Sequence, residues 1–332
     1  MEKILILILF ILFEFSMLRS QSIQPTGKPI TEIFTDFHYY FNDTITTTGF
    51  GIERALLGYN FLPGNNFSAT VVVNIGSPED LVAGSEPRRY AYFREAFMSY
   101  SINKLTLNMG MIKTRMNEYQ QRFLGKRYVA NTLQSLNEFG YVSDIGFSID
   151  YKFNDVIKAD FNIMNGKGYS NIQLDNNLKI SSGLYITPTK ELAFRVFGDI
   201  TRRKGLWQST TIIFAGINND LITLGSDVTY KTNLDLMGGH HAWGISGTGA
   251  IRVSEKTELF SRFDHLSSII PDGETVQWNY LNDYNFLIAG IQYSFSENIK
   301  FALDYQGTYP SNSEIQNTNA LYMNASFKFN YK

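Results

Sequence analysis

Apolar and polar positions alternate one for one along most of this chain. In residues 144–153 one face reads Ile145, Phe147, Ile149, Tyr151 and Phe153, and the other Asp144, Gly146, Ser148, Asp150 and Lys152. Residues 321–331 repeat the pattern, with Leu321, Met323, Ala325, Phe327, Phe329 and Tyr331 against Tyr322, Asn324, Ser326, Lys328 and Asn330. Successive side chains of a strand point to opposite faces, so these are two-faced strands, one face apolar and uncharged, the other small, polar or charged. About sixteen such segments are expected, at 31–42, 49–61, 66–75, 91–102, 104–113, 141–153, 156–164, 178–187, 191–200, 207–217, 221–232, 242–253, 257–266, 283–294, 299–309 and 318–331. Each is near the length that a tilted membrane strand needs, about 9–11 residues. Alternation is weakest over 207–217, where Ile212 and Ile213 are adjacent.

The links sort by length. Short ones, at 63–66, 103–104, 154–155, 188–190, 218–220, 254–256 and 296–298, are rich in Asn, Asp, Pro and Ser, as tight turns require. Longer ones lie between them, at 77–90, 114–140, 165–177 and 267–282. Middling ones fall near Thr44, Arg203 and His240 and at 310–317. That rhythm predicts an all-β, transmembrane antiparallel β-barrel of about sixteen strands, with short periplasmic turns, long outer loops and both termini periplasmic. A soluble β-sandwich or propeller would also alternate. It would not sort its loops into two sets, nor carry large aromatics such as Phe153, Tyr230, Phe295, Tyr309 and Tyr331 to the strand ends, where an interfacial girdle sits.

Composition sharpens this picture. Aromatics make up 15% of the 332 residues, cysteine is absent, and formal net charge is −2, which gives no argument for a nucleic-acid partner. At the N-terminus, Lys3 precedes an apolar run over residues 4–13 that Glu14 ends. That run is too short for a membrane-spanning helix, which needs about 20 residues, and reads as a signal peptide over 1–21. A retained anchor is the weaker reading, because Glu14 and Arg19 interrupt the run. The expected single barrel domain occupies 29–332 in the outer membrane of a Gram-negative-type cell, among lipid and lipopolysaccharide. Chain end Lys332 departs from the terminal aromatic usual for such barrels, and Tyr331 is the substitute.

From about Tyr92 to Tyr169 the chain resembles the outer-membrane porins known as phosphate-selective porin O and P, particularly their shorter relatives. The resemblance rests on 105–114 (LTLNMGMIKT), 126–128 (KRY), 143–147 (SDIGF) and 165–169 (NGKGY), with 262–268 (RFDHLSS) as a further segment. It implies a barrel of sixteen strands, often a homotrimer, whose third outer loop folds into the pore. The residues supply such a loop independently, at 114–140. Structureless loops longer than about 12–15 residues are uncommon and usually functional. Its bases are Arg115, Arg122, Lys126 and Arg127, its acids Glu118 and Glu138, and Tyr119, Phe123 and Tyr128 could anchor it to the wall. One reading is a constriction with a cationic filter; the other is a solvated cap over the mouth.

Strict alternation points nine bases into the lumen (Lys152, Lys158, Lys179, Arg195, Lys231, Arg252, Arg262, Lys300 and Lys328) and nine acids (Asp36, Asp144, Asp150, Asp160, Asp199, Asp227, Glu258, Asp264 and Asp304). A strongly selective pore uses charges of one sign. This balance argues against phosphate selectivity and for passive diffusion of small polar solutes and ions, with a mild anion bias if the long loop lies inside. Sixteen strands, give or take two, would leave a water-filled lumen that keeps these charges hydrated.

Other chemistry is thin. His240 and His241 are adjacent in an outer loop and lack ligand spacing, so neither a metal nor a cofactor is expected. Asp264, His265, Ser267 and Ser268 superficially suggest a hydrolase, yet Asp264 and His265 should face opposite sides of one strand. The glycines of 165–168 lack phosphate-loop spacing. No enzyme is expected. The alternatives are a non-conducting structural or export-associated barrel and, behind it, an outer-membrane hydrolase.

Overall fold

A computed structural model describes residues 26–330 except 43, 65 and 77–89. The expected signal peptide, Tyr331 and Lys332 lie outside the described residues. The strands are β1 Thr26–Phe41, β2 Thr46–Gly64, β3 Phe67–Gly76, β4 Tyr90–Ile102, β5 Leu105–Lys113, β6 Ser143–Lys152, β7 Ile157–Met164 and β8 Lys179–Ile186. They continue as β9 Leu192–Arg203, β10 Leu206–Asn218, β11 Ile222–Lys231, β12 Ala242–Arg252, β13 Thr257–Ser268, β14 Tyr284–Ser294, β15 Ile299–Pro310 and β16 Thr318–Asn330. Every neighbour pair is antiparallel, and β1 pairs with β16 from Ile30↔Asn330 to Phe41↔Asn319, closing the barrel. Closure satisfies every ladder without leaving an edge, which lipid demands. Pro29 lies in β1 before the closing ladder begins, where its missing N–H costs nothing.

Alternation sorts the faces as the sequence predicts. Outward positions such as Leu259, Phe263, Leu303, Leu321 and Met323 are exposed and apolar, while inward Asp264, Asp304, Asn324 and Ser326 are buried. At the short-turn rim, Asn154 and Asn219 each accept two backbone N–H bonds from the residues that open the next strand. The link near Arg203 is shorter than expected. Lys204 and Gly205 alone form the turn, both at positive φ, as a primed two-residue hairpin requires.

Of three register irregularities among the described residues, one lies at the β2–β3 turn between Phe61 and Gly64, and two fall within strands. Between Phe34↔Arg54 and Thr35↔Ile52, Glu53 is an extra residue on β2; between Val72↔Glu95 and Val73↔Phe93, Arg94 is an extra residue on β4. Bulges re-aim side chains, and here both add a charged residue to the inner surface near the long-loop rim.

No helix among the described residues is long and apolar enough to cross a membrane. Among the described residues the α-helices, α1 Glu118–Leu124 and α2 Leu133–Leu136, both belong to the loop between β5 and β6.

Candidate functional site

The β5–β6 loop folds into the barrel and docks on the inner wall. Tyr119 meets Tyr185 (ring centroids 5.1 Å apart), and Phe123 meets Phe214 at 5.4 Å. Glycines on β10 and β11 make the seat: a Cβ at Gly216 would lie 2.5 Å from Phe123, and one at Gly225 would lie 2.8 Å from Leu124. Beyond α1, Tyr128 and Val129 join Phe34, Phe260, Phe286 and Ile288 in one apolar cluster. Met116, Leu133 and Phe139 join Phe197, Ile212 and Leu266 in another. Two apolar clusters thus seat the loop on the lumen wall.

Polar wall residues hold the loop as well. Arg195, only 1% exposed, donates to the Met116 carbonyl (2.8 Å), to Gln120 Oε1 (3.0 Å) and to the Arg115 carbonyl. Gln134 donates to Asp227 and Thr229, Lys231 donates to the Phe139 carbonyl at 2.6 Å, and Arg262, paired with Asp264, donates to the Asn131 carbonyl. Lys126 pairs with Glu258 at 2.6 Å, and Tyr128 donates to Gln292 at 2.8 Å. Burial pushes the Lys126 ammonium down and the Tyr128 phenol up from their ordinary values.

The expected site residues thus divide. Arg195, Arg262, Asp264, Lys126 and Tyr128 hold the loop, and Asp144 and Asp160 are buried under it or within the wall. Arg252 lies at the short-turn rim, bonded to Asn218 and Asn219. Arg115, Tyr119, Arg122, Asp150, Lys152 and Lys158 line a cavity of about 620 Å³ that opens toward the short turns. Arg127 lines a second cavity, of about 860 Å³, on the long-loop side.

The expectation that the balanced lumen charges all stay hydrated is corrected here. Of the nine inward acids, Asp36, Asp144, Asp160, Asp199, Asp227, Asp264 and Asp304 are buried; of the nine bases only Lys179, Arg195 and Lys231 are. At the short-turn end the charge left facing the cavity is correspondingly basic. The short-turn cavity carries Lys104, Arg115, Arg122, Lys152 and Lys158 against Glu118 and Asp150. The long-loop cavity is more balanced, with Arg94, Arg127 and Arg203 against Glu53, Glu138 and Asp235, and Arg54, Lys179 and Lys231 buried in its wall.

Arg54, Arg94 and Arg127 form the densest part of that surface. Arg54 pairs with Glu32 at 3.3 Å, but Arg127 has no ion pair or hydrogen bond among the described residues, and the Nε atoms of Arg94 and Arg127 are buried without a partner. Burial first, then the neighbouring Arg54 and Arg94 charges, push the Arg127 guanidinium well below its ordinary value. Arginine stays protonated in proteins, so this push expresses a charge held out of solvent, with the neighbouring Arg54 and Arg94 adding to the cost. Sequence reasoning missed Arg94 because the bulge there breaks the alternation that assigns faces, whereas Arg54 keeps phase with buried Leu56 and was readable as inward.

Lys113 lies between the two compartments' charges, 3.7 Å from Glu95 on β4 and 3.4 Å from Glu118 on α1. Glu118 also meets Arg115 at 2.8 Å and Arg122 at 3.7 Å. Burial alone would raise its carboxyl, but Lys113, Arg115 and Arg122 outweigh burial and hold it at about 2.

The hydrolase constellation does not assemble. Asp264 bonds Arg262 and Ser246 on the inner face, whereas His265 packs on Trp243 and bonds Asn285. Ser268 is held by Asp283 instead. Among the described residues, no group of three or more His, Asp or Glu is placed to hold a metal ion.

These features define a class, the closed antiparallel barrels of sixteen strands found among outer-membrane proteins. No family model matches the chain, so its resemblance to phosphate-selective porin O and P remains a resemblance, and no curated protein matches it. Similar solved structures include OmpF of Salmonella typhi in complex with daunomycin, with 10% identity, a TM-score of 0.68, and 92% of this chain covering 98% of that one. OmpT of Vibrio cholerae is similar at 12% identity and a TM-score of 0.64, with 94% of this chain covering 99% of that one. An anion-selective porin from Comamonas acidovorans is similar at 12% identity and 0.64, with 92% covering 99%. At such identities the likeness is one of fold.

Proposed function

We propose that this chain is an exported outer-membrane porin, a passive diffusion channel for small polar solutes and ions that favours anions. In this reading, residues 1–21 are the signal peptide and 29–332 the barrel, set among lipid and lipopolysaccharide. The observation that carries it is the segregation of charge: the inward acids are mostly buried, while bases outnumber acids five to two along the short-turn cavity beside the inward loop. Charge of one sign along the solvent-facing path is what makes a pore select. The Comamonas porin of similar fold is described as anion-selective, and a Vibrio OmpT structure of similar fold as a trimer form, which supports an anion bias and a homotrimer for this chain as well. Nothing in the geometry favours phosphate over other small anions. The test is conductance of refolded protein in a planar bilayer under a salt gradient. Discrete steps with a reversal potential of anion sign support the reading; correctly folded barrels without conductance overturn it.

One observation favours a second reading, a non-conducting structural or export-associated barrel. Loop residues Met116, Tyr128, Leu133 and Phe139 are almost wholly buried against the wall, so the loop fills much of the lumen. The same bilayer measurement separates the two.

A further inference from the structure

The cavity at the short-turn end combines exposed cations with an aromatic wall. Its two carboxylates are already engaged: Asp150 accepts from Arg115 and Asn108, each at 3.0 Å, and Glu118 is held by Arg115, Lys113 and Arg122. Arg122 is 71% exposed, and Lys158 is exposed with no ion pair among the described residues. Tyr119 and Phe123 lie nearly parallel, 26° apart with centroids at 6.3 Å, and Tyr185 meets Tyr119 edge-on. All three line the same space of about 620 Å³, a size typical of small-molecule pockets. A bare inorganic ion would use the cations and leave the rings idle. A ring bearing an anionic group would use both, its flat body against Tyr119 and Phe123 and its charge toward Arg122 and Lys158.

We infer that this cavity is a binding subsite for ring-bearing anions, of the class of aromatic carboxylates. The inference rests on the channel reading for its role but not for its test, which measures binding directly. Refolded barrels in detergent are titrated by calorimetry with benzoate and with acetate, from which benzoate differs by its ring. Benzoate is expected to bind about tenfold more tightly, the scale of one aromatic contact. Tyr119→Leu should abolish that preference and Tyr119→Phe should keep it. Arg122→Gln with Lys158→Gln should weaken benzoate about tenfold or more, as loss of charged contacts does. Equal affinity for the two anions overturns the inference. So does a preference that survives both Tyr119→Leu and the double charge variant. Benzoate binding in barrels that do not conduct keeps the subsite and discards the channel; conduction without benzoate binding does the reverse.

Discussion

Arg195 on the barrel wall donates to Oε1 of Gln120 on the inward loop at 3.0 Å, and the same guanidinium reaches the carbonyls of Met116 and Arg115. A charged side chain only 1% exposed that spends its donors on loop backbone is a clamp. Each charged hydrogen bond of this kind is worth about 1.5–3 kcal/mol. Arg195→Ala is therefore expected to free the start of the loop while leaving the ladders of β8 to β10 intact. Trypsin should then cut at Arg115, Arg122 or Arg127 in the variant but not in the parent, and single-channel current should become noisier. Equal protease resistance would show that the apolar clusters hold the loop without the clamp.

Arg127 makes the opposite prediction for stability. Its guanidinium is crowded by Arg54 and Arg94 and has no hydrogen-bond partner among the described residues. Removing a half-buried charge that has no ion pair among the described residues relieves a cost instead of creating one. Arg127→Gln should leave resistance to denaturant unchanged or raised, while moving the reversal potential toward zero. A clear loss of stability would mean that Arg127 has a structural counter-charge, and an unchanged reversal potential would remove it from the ion path.

Much of this was legible in the chain, and the reasons for the rest are physical. Strand spans follow from alternation because the two faces meet different media, lipid and lumen, over nearly every residue. The depth of the loop was readable only as length and basic content. What alternation cannot carry is a change of register, so the bulge at Arg94 hid that residue, while Arg54 keeps phase with buried Leu56. Nor can it tell which inward charges will be covered. Asp227 and Asp304 look alike in sequence to Asp150, yet burial separates them. One local failure did carry information. The blurred alternation at Ile212 and Ile213 arises because Ile213 meets lipid while Ile212 meets the loop.

That pair gives a contrast experiment. Ile212 is 1% exposed in the cluster with Met116, Leu133, Phe139 and Phe197, whereas Ile213 is 56% exposed on the outer face. Truncating a buried Ile to Ala typically costs about 2–5 kcal/mol because a cavity is left. Ile212→Ala should lower the denaturant midpoint and loosen the loop. Ile213→Ala, in detergent, should change the midpoint far less. Equal effects would place the loop away from β10.

Glu118 sets the pH behaviour of the docked loop. Its carboxyl is held down to about 2 from an ordinary value of 4.5, because Lys113, Arg115 and Arg122 outweigh the burial that would raise it. A depressed carboxyl contributes stability that is fully present above its unfolded value and is lost as pH falls through its folded value. The contribution of Glu118 to loop docking should thus be constant from neutrality down to about pH 4.5. It should weaken progressively between there and about 2, as Glu118 takes up a proton and releases three cations that then repel one another. Loop cleavage by pepsin, which works in this range, should rise steeply toward the acid end. In Glu118→Gln the cations are unpaired at every pH, so cleavage should start higher and depend far less on pH. If the two proteins share one acid profile, another carboxylate controls the loop, and the Lys113–Glu118–Arg115 network is not what fastens α1.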